Sequence, residues 1–127
     1  NHSNYFFNSI EISVKEQREW FNKIYLVDKN NFIFIIYYKN EKIGCIGFRI
    51  SENAWDIYNV MNISSNFKGV GIMHTSLKEL IKFIKMKKNL DFKAKVLNSN
   101  QNLNWYLKNN FKVIDKNIDY TIIKYFG

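Results

Sequence analysis

The chain has 127 residues and a mass of 15.3 kDa, the length of one ordinary domain (residues 1–127) and too short for two. Apolar residues make up 46% and aromatics 17%, enough for a sizeable core, while the lack of proline and the single cysteine, Cys45, exclude linker-rich sequences, an internal disulfide and a multi-cysteine metal site. The net charge is +8, yet only Arg18 and Arg49 among 19 cations are arginine, and asparagine, isoleucine and lysine supply 54 of 127 residues, so the charge reads as composition on a solvated surface and no nucleic-acid partner is expected.

In chain order, Ser13 and Glu16 have capping-box spacing, and Val14, Phe21, Ile24 and Tyr25 recur at helical intervals. We read a helix over 14–25, preceded by a short one over 5–8. No strand pattern precedes Ser13. The longest apolar run is the seven residues from Phe32 to Tyr38, and residues 31–38 read as a strand buried on both faces. That run is far short of the ~18 residues a membrane span needs, and no signal peptide is visible, so a soluble cytoplasmic domain with no membrane partner is the expectation. After the polar turn at Lys39 to Lys42, residues 43–50 complete a hairpin, and after Ser51-Glu52-Asn53 residues 54–63 make a third strand.

Next comes Ser64-Ser65-Asn66-Phe67-Lys68-Gly69-Val70-Gly71. Beyond it Met73, Leu77, Leu80, Ile81 and Ile84 lie on one stripe of an amphipathic helix of about 15 residues. Residues 91–97 alternate, with Phe92, Ala94 and Val96 on one face and Lys93 and Lys95 on the other. A short helix over 100–108 and closing strands over 111–114 and 120–125 follow. The order gives a mixed α/β (α+β) fold: a mostly antiparallel central sheet of about six strands flanked by helices.

Gly69-Val70-Gly71 sits between a strand and a helix, where unpaired N–H groups and the positive dipole end suit a phosphate. A plain tight turn fits the same residues. The segment is no P-loop, because no Gly-Lys-Ser/Thr follows. Further on, Asn100 can cap the short helix, Tyr106 lies on it, and Asn110 falls where a left-handed C-terminal cap belongs. No two histidines share a helix face, so no metal site is expected. His74 reads as a packed or solvent-facing residue and Cys45 as a small core residue. The carboxylates Glu52, Asp56 and Asp119 are available as bases, with nothing in their spacing to choose among them. Lysines 78, 82, 85, 87, 88, 93 and 95 crowd one stretch and read as a solvated face, with an anion-binding surface as the alternative.

Together these segments resemble the GNAT superfamily of acyl-CoA-dependent N-acetyltransferases. Its cofactor loop, Gln/Arg-x-x-Gly-x-Gly/Ala, corresponds to Asn66-Phe67-Lys68-Gly69-Val70-Gly71, with Asn66 departing from Gln or Arg. Its later motif, an Asn, then a helix bearing Tyr, then Gly-Phe, corresponds to Asn100, Tyr106 and Asn110-Phe111, with Asn110 in place of Gly. The pair Ile43-Gly44 and Ile46-Gly47-Phe48 looks like its central hairpin, and the helix ending at Glu19-Trp20-Phe21 resembles one seen in members that acetylate amino sugars.

The resemblance implies acetyl-CoA as cosubstrate, held by Asn66, Phe67, Lys68, Gly69, Val70, Gly71, Ile72 and Asn100. It implies a pantetheine arm pairing with the backbone near Met61 and Ile63, with an N–H at Met61 as oxyanion donor. Tyr106 would be the proton donor to the departing thiolate. The acceptor is then a primary amine of a small molecule, such as an amino sugar or sugar nucleotide, with a homodimer left open. It would bind through residues 4–31 and 115–119, where Tyr5, Phe6, Phe7, Trp20 and Phe21 could stack on it. A protein N-terminus, or an inactive module holding an anionic partner, is the alternative. The family opens with a strand before its first helix; none is read here, so that strand is expected to be missing.

Overall fold

Four successive antiparallel pairings build the first half of the protein in the computed structural model, which describes residues 9–13, 20–62, 71–99 and 103–127. Strand β1 (Ser9–Ser13) pairs antiparallel with β2 (Trp20–Asp28), β2 with β3 (Asn31–Tyr38), β3 with β4 (Glu41–Ser51) and β4 with β5 (Ala54–Asn62). The turns from β2 to β3, from β3 to β4 and from β4 to β5 are two residues long. Lys39 and Asn40 (φ 50° and 64°) and Glu52 and Asn53 (φ 52° and 61°) are left-handed, the type I′ geometry whose twist matches paired strands. Between β2 and β3 the Asp28 carboxylate accepts a hydrogen bond from the Asn30 N–H at 2.7 Å, a side chain imitating a backbone turn.

The second half alternates: helix α1 (Ile72–Lys87), β6 (Phe92–Leu97), helix α2 (Leu103–Leu107), β7 (Phe111–Lys116) and β8 (Tyr120–Tyr125). The sheet has eight strands in the order β1-β2-β3-β4-β5-β6-β8-β7, and only the β5–β6 pair is parallel. The mixed, mostly antiparallel architecture is as expected, and all six expected strands are present. The two further strands overturn the reading of the first quarter. Trp20 to Tyr25, read as helix, lie in β2, and residues 9–13 pair with it as the edge strand β1, so the sheet opens with a strand where none was read and the expectation of a missing first strand fails. Phe21, Ile24 and Tyr25 satisfy a helical stripe, but a long apolar partner strand one short turn away offers residues 20–28 a ladder on one edge, and β1 offers residues 21–25 another on the opposite edge. Residues 14–19 and the expected helix over 5–8 lie outside the described residues.

Strand β3 is buried on one face through Phe32, Phe34 and Ile36, while Ile33, Ile35 and Tyr37 are half-buried, a correction to the expectation of two fully buried faces. The buried face meets α1, whose Leu77, Leu80, Ile81 and Ile84 point inward as their spacing predicts. Edge-to-face contacts run from Phe34 to Phe48 (5.7 Å) and from Phe48 to Phe92 (5.9 Å). Trp55 is 1% exposed, and its indole N–H donates to the Lys88 carbonyl at 2.9 Å, tying the C-terminal end of α1 to β5. Lys78, Lys82, Lys85 and Lys87 are exposed on the outer side of α1. Among the described residues no helix is long and apolar enough to cross a membrane.

Candidate active site

β5 and β6 run side by side only at Trp55–Phe92 and Asp56–Lys93. Beyond that they part. The cause lies in β5: the β4 register skips between Cys45–Met61 and Gly47–Tyr58, and Asn59 is left-handed with φ 52°. Such a bulge bends its strand and increases its twist, and asparagine tolerates the conformation. The bulged Asn59 carbonyl accepts a hydrogen bond from the Cys45 thiol at 3.0 Å, and burial pushes that thiol's pKa up, opposed by the Met61 N–H beside it. Cys45 is thus a buried core residue, as expected.

The gap is a cavity of about 380 Å³ lined by residues 57–61 of β5, Lys95, Val96 and Leu97 of β6, and Tyr106 of α2. Beyond Asp56, no strand among the described residues pairs with the β6-facing edge of β5. That edge offers N–H and C=O groups to any extended, amide-bearing ligand. Met61, half-exposed at 52%, lines the opening. Its carbonyl leans over Gly44 and its N–H lies beside the Cys45 sulfur, both on the β4 side. By strand alternation the groups facing the opening are those of Val60 and Asn62.

Tyr106 closes the other wall. Only 7% exposed, it stacks edge-on against Trp105 (5.0 Å) and Phe111 (5.4 Å). Burial, reinforced by the negative charge of Asp56, pushes its phenol up to about 12, so it stays protonated at neutral pH. Helix α2 ends where the sequence places its stop: Asn110 is left-handed at φ 68°.

At the start of α1, Gly71 occupies the N-cap position with φ 76°, and no side chain caps the helix, so its first N–H groups are left for a ligand. A Cβ on Gly71 would meet nothing within 4 Å; the glycine is needed for its backbone angle, not for space. Ile72 is buried at 8%, so only its backbone can reach a ligand. Ile63, Asn66, Phe67, Lys68, Gly69, Val70 and Asn100 lie outside the described residues, as do the side chains of Tyr5, Phe6, Phe7, Trp20 and Phe21.

Of the three carboxylates, Asp119 sits in the exposed β7–β8 turn. Glu52 and Asp56 line a second cavity, of about 460 Å³, with Arg49, Lys93, Lys95 and Asp115. Lys95 borders both cavities. Arg49 Nε and Asp56 Oδ2 are 3.0 Å apart. The sequence reading missed Asn59, whose bulge has no periodic signature, and Asn109, whose amide is buried beside Tyr106. It also missed Arg49 as a partner of Asp56, visible only through the β4–β5 register. Among the described residues no three His, Cys, Asp or Glu side chains cluster as a metal site would need.

No protein of curated function matches the sequence. The structure is similar to the PaiA N-acetyltransferase of Thermoplasma acidophilum in complex with coenzyme A, with a TM-score of 0.67 and 24% identity over 76% of this chain and 60% of that one. It is also similar to the N-acetyltransferase PseH of Campylobacter jejuni in complex with acetyl coenzyme A, with a TM-score of 0.62 and 27% identity over 76% and 68%. A third likeness is to the Salmonella typhimurium acetyl transferase that modifies the N-terminal serine of ribosomal protein L7/L12, with a TM-score of 0.60 and 24% identity over 75% and 61%. The chain therefore spans only about two thirds or less of the length of these proteins. The model of the acetyltransferase (GNAT) family matches residues 2–111, and the chain belongs to that family.

Proposed function

We propose that this domain transfers an acetyl group directly from acetyl-CoA to a primary amine of a small molecule, an amino sugar or sugar nucleotide. The observation that carries the reading is the parting of β5 from β6 beside a buried, protonated Tyr106. The pantetheine arm pairs with the free edge of β5 as a further strand would. Its amides meet the groups of Val60 and Asn62, and the backbone of the bulged segment, rather than the Met61 N–H, donates to the thioester oxygen. The pyrophosphate lies at the N-terminus of α1, over Gly71.

The amine must arrive neutral, because an ammonium has no lone pair to offer. Its nitrogen attacks the thioester carbonyl, the C–S bond breaks, and the Tyr106 O–H passes its proton to the sulfur. The amine sheds one proton, which passes by way of solvent beside Asp56 to the phenolate and restores the phenol, so no net proton is gained or lost. The second cavity, with Arg49 and Lys93 beside Glu52 and Asp56, fits an amine that also carries a phosphate. On this reading the enzyme works in the cytoplasm, needs no metal, and acts as a single domain, alone or as a homodimer.

Calorimetry with acetyl-CoA tests the first step. Wild type should bind, and Gly71→Asp, placing a carboxylate beside the pyrophosphate, should bind at least about tenfold more weakly, the worth of one charge contact of ~1.4 kcal/mol. Thiol release is then followed with glucosamine, a uridine diphosphate amino sugar and a peptide with N-terminal serine as acceptors. Tyr106→Phe should lower kcat by about 10²-fold, the low end for general acid catalysis, with little change in acetyl-CoA affinity. Absence of acetyl-CoA binding would leave the inactive-module reading, and preference for the peptide would move the acceptor to a protein N-terminus.

A further inference from the structure

Helix α2 is five residues long, too short to hold itself by its own hydrogen bonds. Whatever fixes Tyr106 must come from outside it. Asn109, just past the helix, is 1% exposed, and an amide at that depth is costly unless its hydrogen bonds are made. They are made to both helices. The Asn109 Nδ2 donates to the Trp105 carbonyl at 2.7 Å, and its backbone N–H donates to the Tyr106 carbonyl at 2.8 Å. With Nδ2 so committed, Oδ1 is the acceptor facing His74 Nδ1 at 2.7 Å, which assigns the proton to Nδ1. The His74 ring also packs 5.4 Å from the Trp105 ring, itself edge-on to Tyr106. His74 lies in the first turn of α1, three residues past Gly71.

We propose that His74 and Asn109 are positioning residues for Tyr106: they clamp α2 to the first turn of α1, so that the phenol is held in the cleft by the same helix end that faces the cofactor. The proposal rests on the reading of Tyr106 as the proton donor. The clamp needs an N–H at position 74 aimed at Asn109 Oδ1. A glutamine amide can supply one and a leucine cannot. A proton donor displaced by an ångström can lose most of its catalytic effect, so a loosened α2 should behave as a partial loss of Tyr106.

The test uses thiol release from acetyl-CoA with the best amine of the screen. His74→Leu should lower kcat by at least about tenfold, leave the KM for acetyl-CoA within about twofold, and be largely restored in His74→Gln. In a Tyr106→Phe background His74→Leu should cost nothing more, because the group it positions is gone. Equal losses in the leucine and glutamine variants, or losses that multiply with Tyr106→Phe, would overturn the proposal. An acceptor-free measurement separates it from the reading beneath it. In protein carrying ¹³C-labelled tyrosine, the Tyr106 ring signal, identified by its loss in Tyr106→Phe, should shift or broaden in His74→Leu and not in His74→Gln. An unmoved signal refutes the clamp whatever the activity. A moved signal in a protein whose turnover ignores Tyr106→Phe refutes the proton-donor reading instead, and with it the catalytic purpose of the clamp. His74 is half-buried, so its replacement leaves the core intact; Asn109→Asp, which keeps the Oδ1 acceptor and loses the donor to Trp105, gives a second variant expected to move the same signal.

Discussion

Gly44→Ala should loosen the cleft from behind. Gly44 is buried in β4 opposite Asn62, and a Cβ there would lie 2.6 Å from the Met61 carbonyl oxygen and 2.7 Å from the Met73 sulfur. The thioether ends a flexible chain and can swing aside. The carbonyl belongs to the β4–β5 ladder and must retreat by at least about 0.4 Å to reach the 3.0 Å below which real Cβ contacts are essentially unknown. Overpacking of this kind costs about 1–3 kcal/mol, offset by roughly 0.5–1 kcal/mol for replacing a strand glycine, so a net loss of about 1–2 kcal/mol is expected. At about 4 °C per kcal/mol for a domain of this size, Tm should fall by about 4–8 °C. The displacement falls on Met61 and hence on Val60 and Asn62, the groups proposed to meet the pantetheine arm, so acetyl-CoA affinity should fall too. Ile46→Val is the matched control: it costs about 0.5–1.5 kcal/mol from the α1 side of the same strand without pressing on Met61, and should leave affinity unchanged. Urea denaturation gives the first quantity and calorimetry at a temperature where both variants are folded gives the second. Wild-type stability in Gly44→Ala would refute the close approach of the Met61 carbonyl. Lost stability with wild-type affinity would refute the role of that strand in binding.

Three further outcomes are expected. The Tyr106 phenol is pushed up from 10.0 to about 12 by burial and then by Asp56, so its contribution is whole below pH 10 and is lost as pH rises through about 12. That loss is on the order of 2–3 kcal/mol, and Tyr106→Phe should flatten this part of an alkaline denaturation profile. Asn59→Val, which forces a β-branched residue into a left-handed position, should cost about 1–2 kcal/mol by urea denaturation, while Asn59→Gly should stay close to wild type. The Ser76 hydroxyl is fully buried in α1 with no hydrogen-bond partner among the described residues, so Ser76→Ala should raise stability by about 1 kcal/mol in the same assay.

What the sequence discloses depends on how local the cause is. The stripe of α1 and the alternation in β6 are written in adjacent residues: α1 has 16 residues where about 15 were expected, and β6 begins one residue after its expected start. Asn110 was legible because a left-handed cap after a helix is a local demand. The first quarter was misread because Phe21, Ile24 and Tyr25 fit two periods, and what decides between them is the neighbouring strand β3. Tyr106 could be picked out through a family motif, but its burial, and the Asp56 charge that helps keep it protonated, come from packing between elements far apart in the chain. The surroundings of Glu52 and Asp56 were likewise a question of register: only pairing Arg49 with Asp56 and Asp56 with Lys93 gathers these groups around the second cavity.

The face of the sheet away from α1 shows why that carboxylate is held rather than merely present. Gly47 stands opposite Tyr58, and a Cβ on it would lie 2.8 Å from the Tyr58 ring, so the missing side chain is what lets the ring lie down across β4. The Tyr58 hydroxyl donates to Asn31 Oδ1 on β3, and the Arg49 guanidinium lies over the ring at 4.2 Å. Arg49 in turn holds Asp56. With its side chain 50% exposed, Arg49 makes an ion pair worth at most about 1 kcal/mol, too little to count as a stabilising device. Its effect is geometric. Four side chains from three strands restrain one another, so Asp56 faces the second cavity with a fixed direction, and its negative charge acts on Tyr106 from a fixed place. A carboxylate free to swing would spread that charge into solvent. One restrained by Arg49 adds its charge, from a constant place beside the second cavity, to the burial that chiefly raises the Tyr106 phenol.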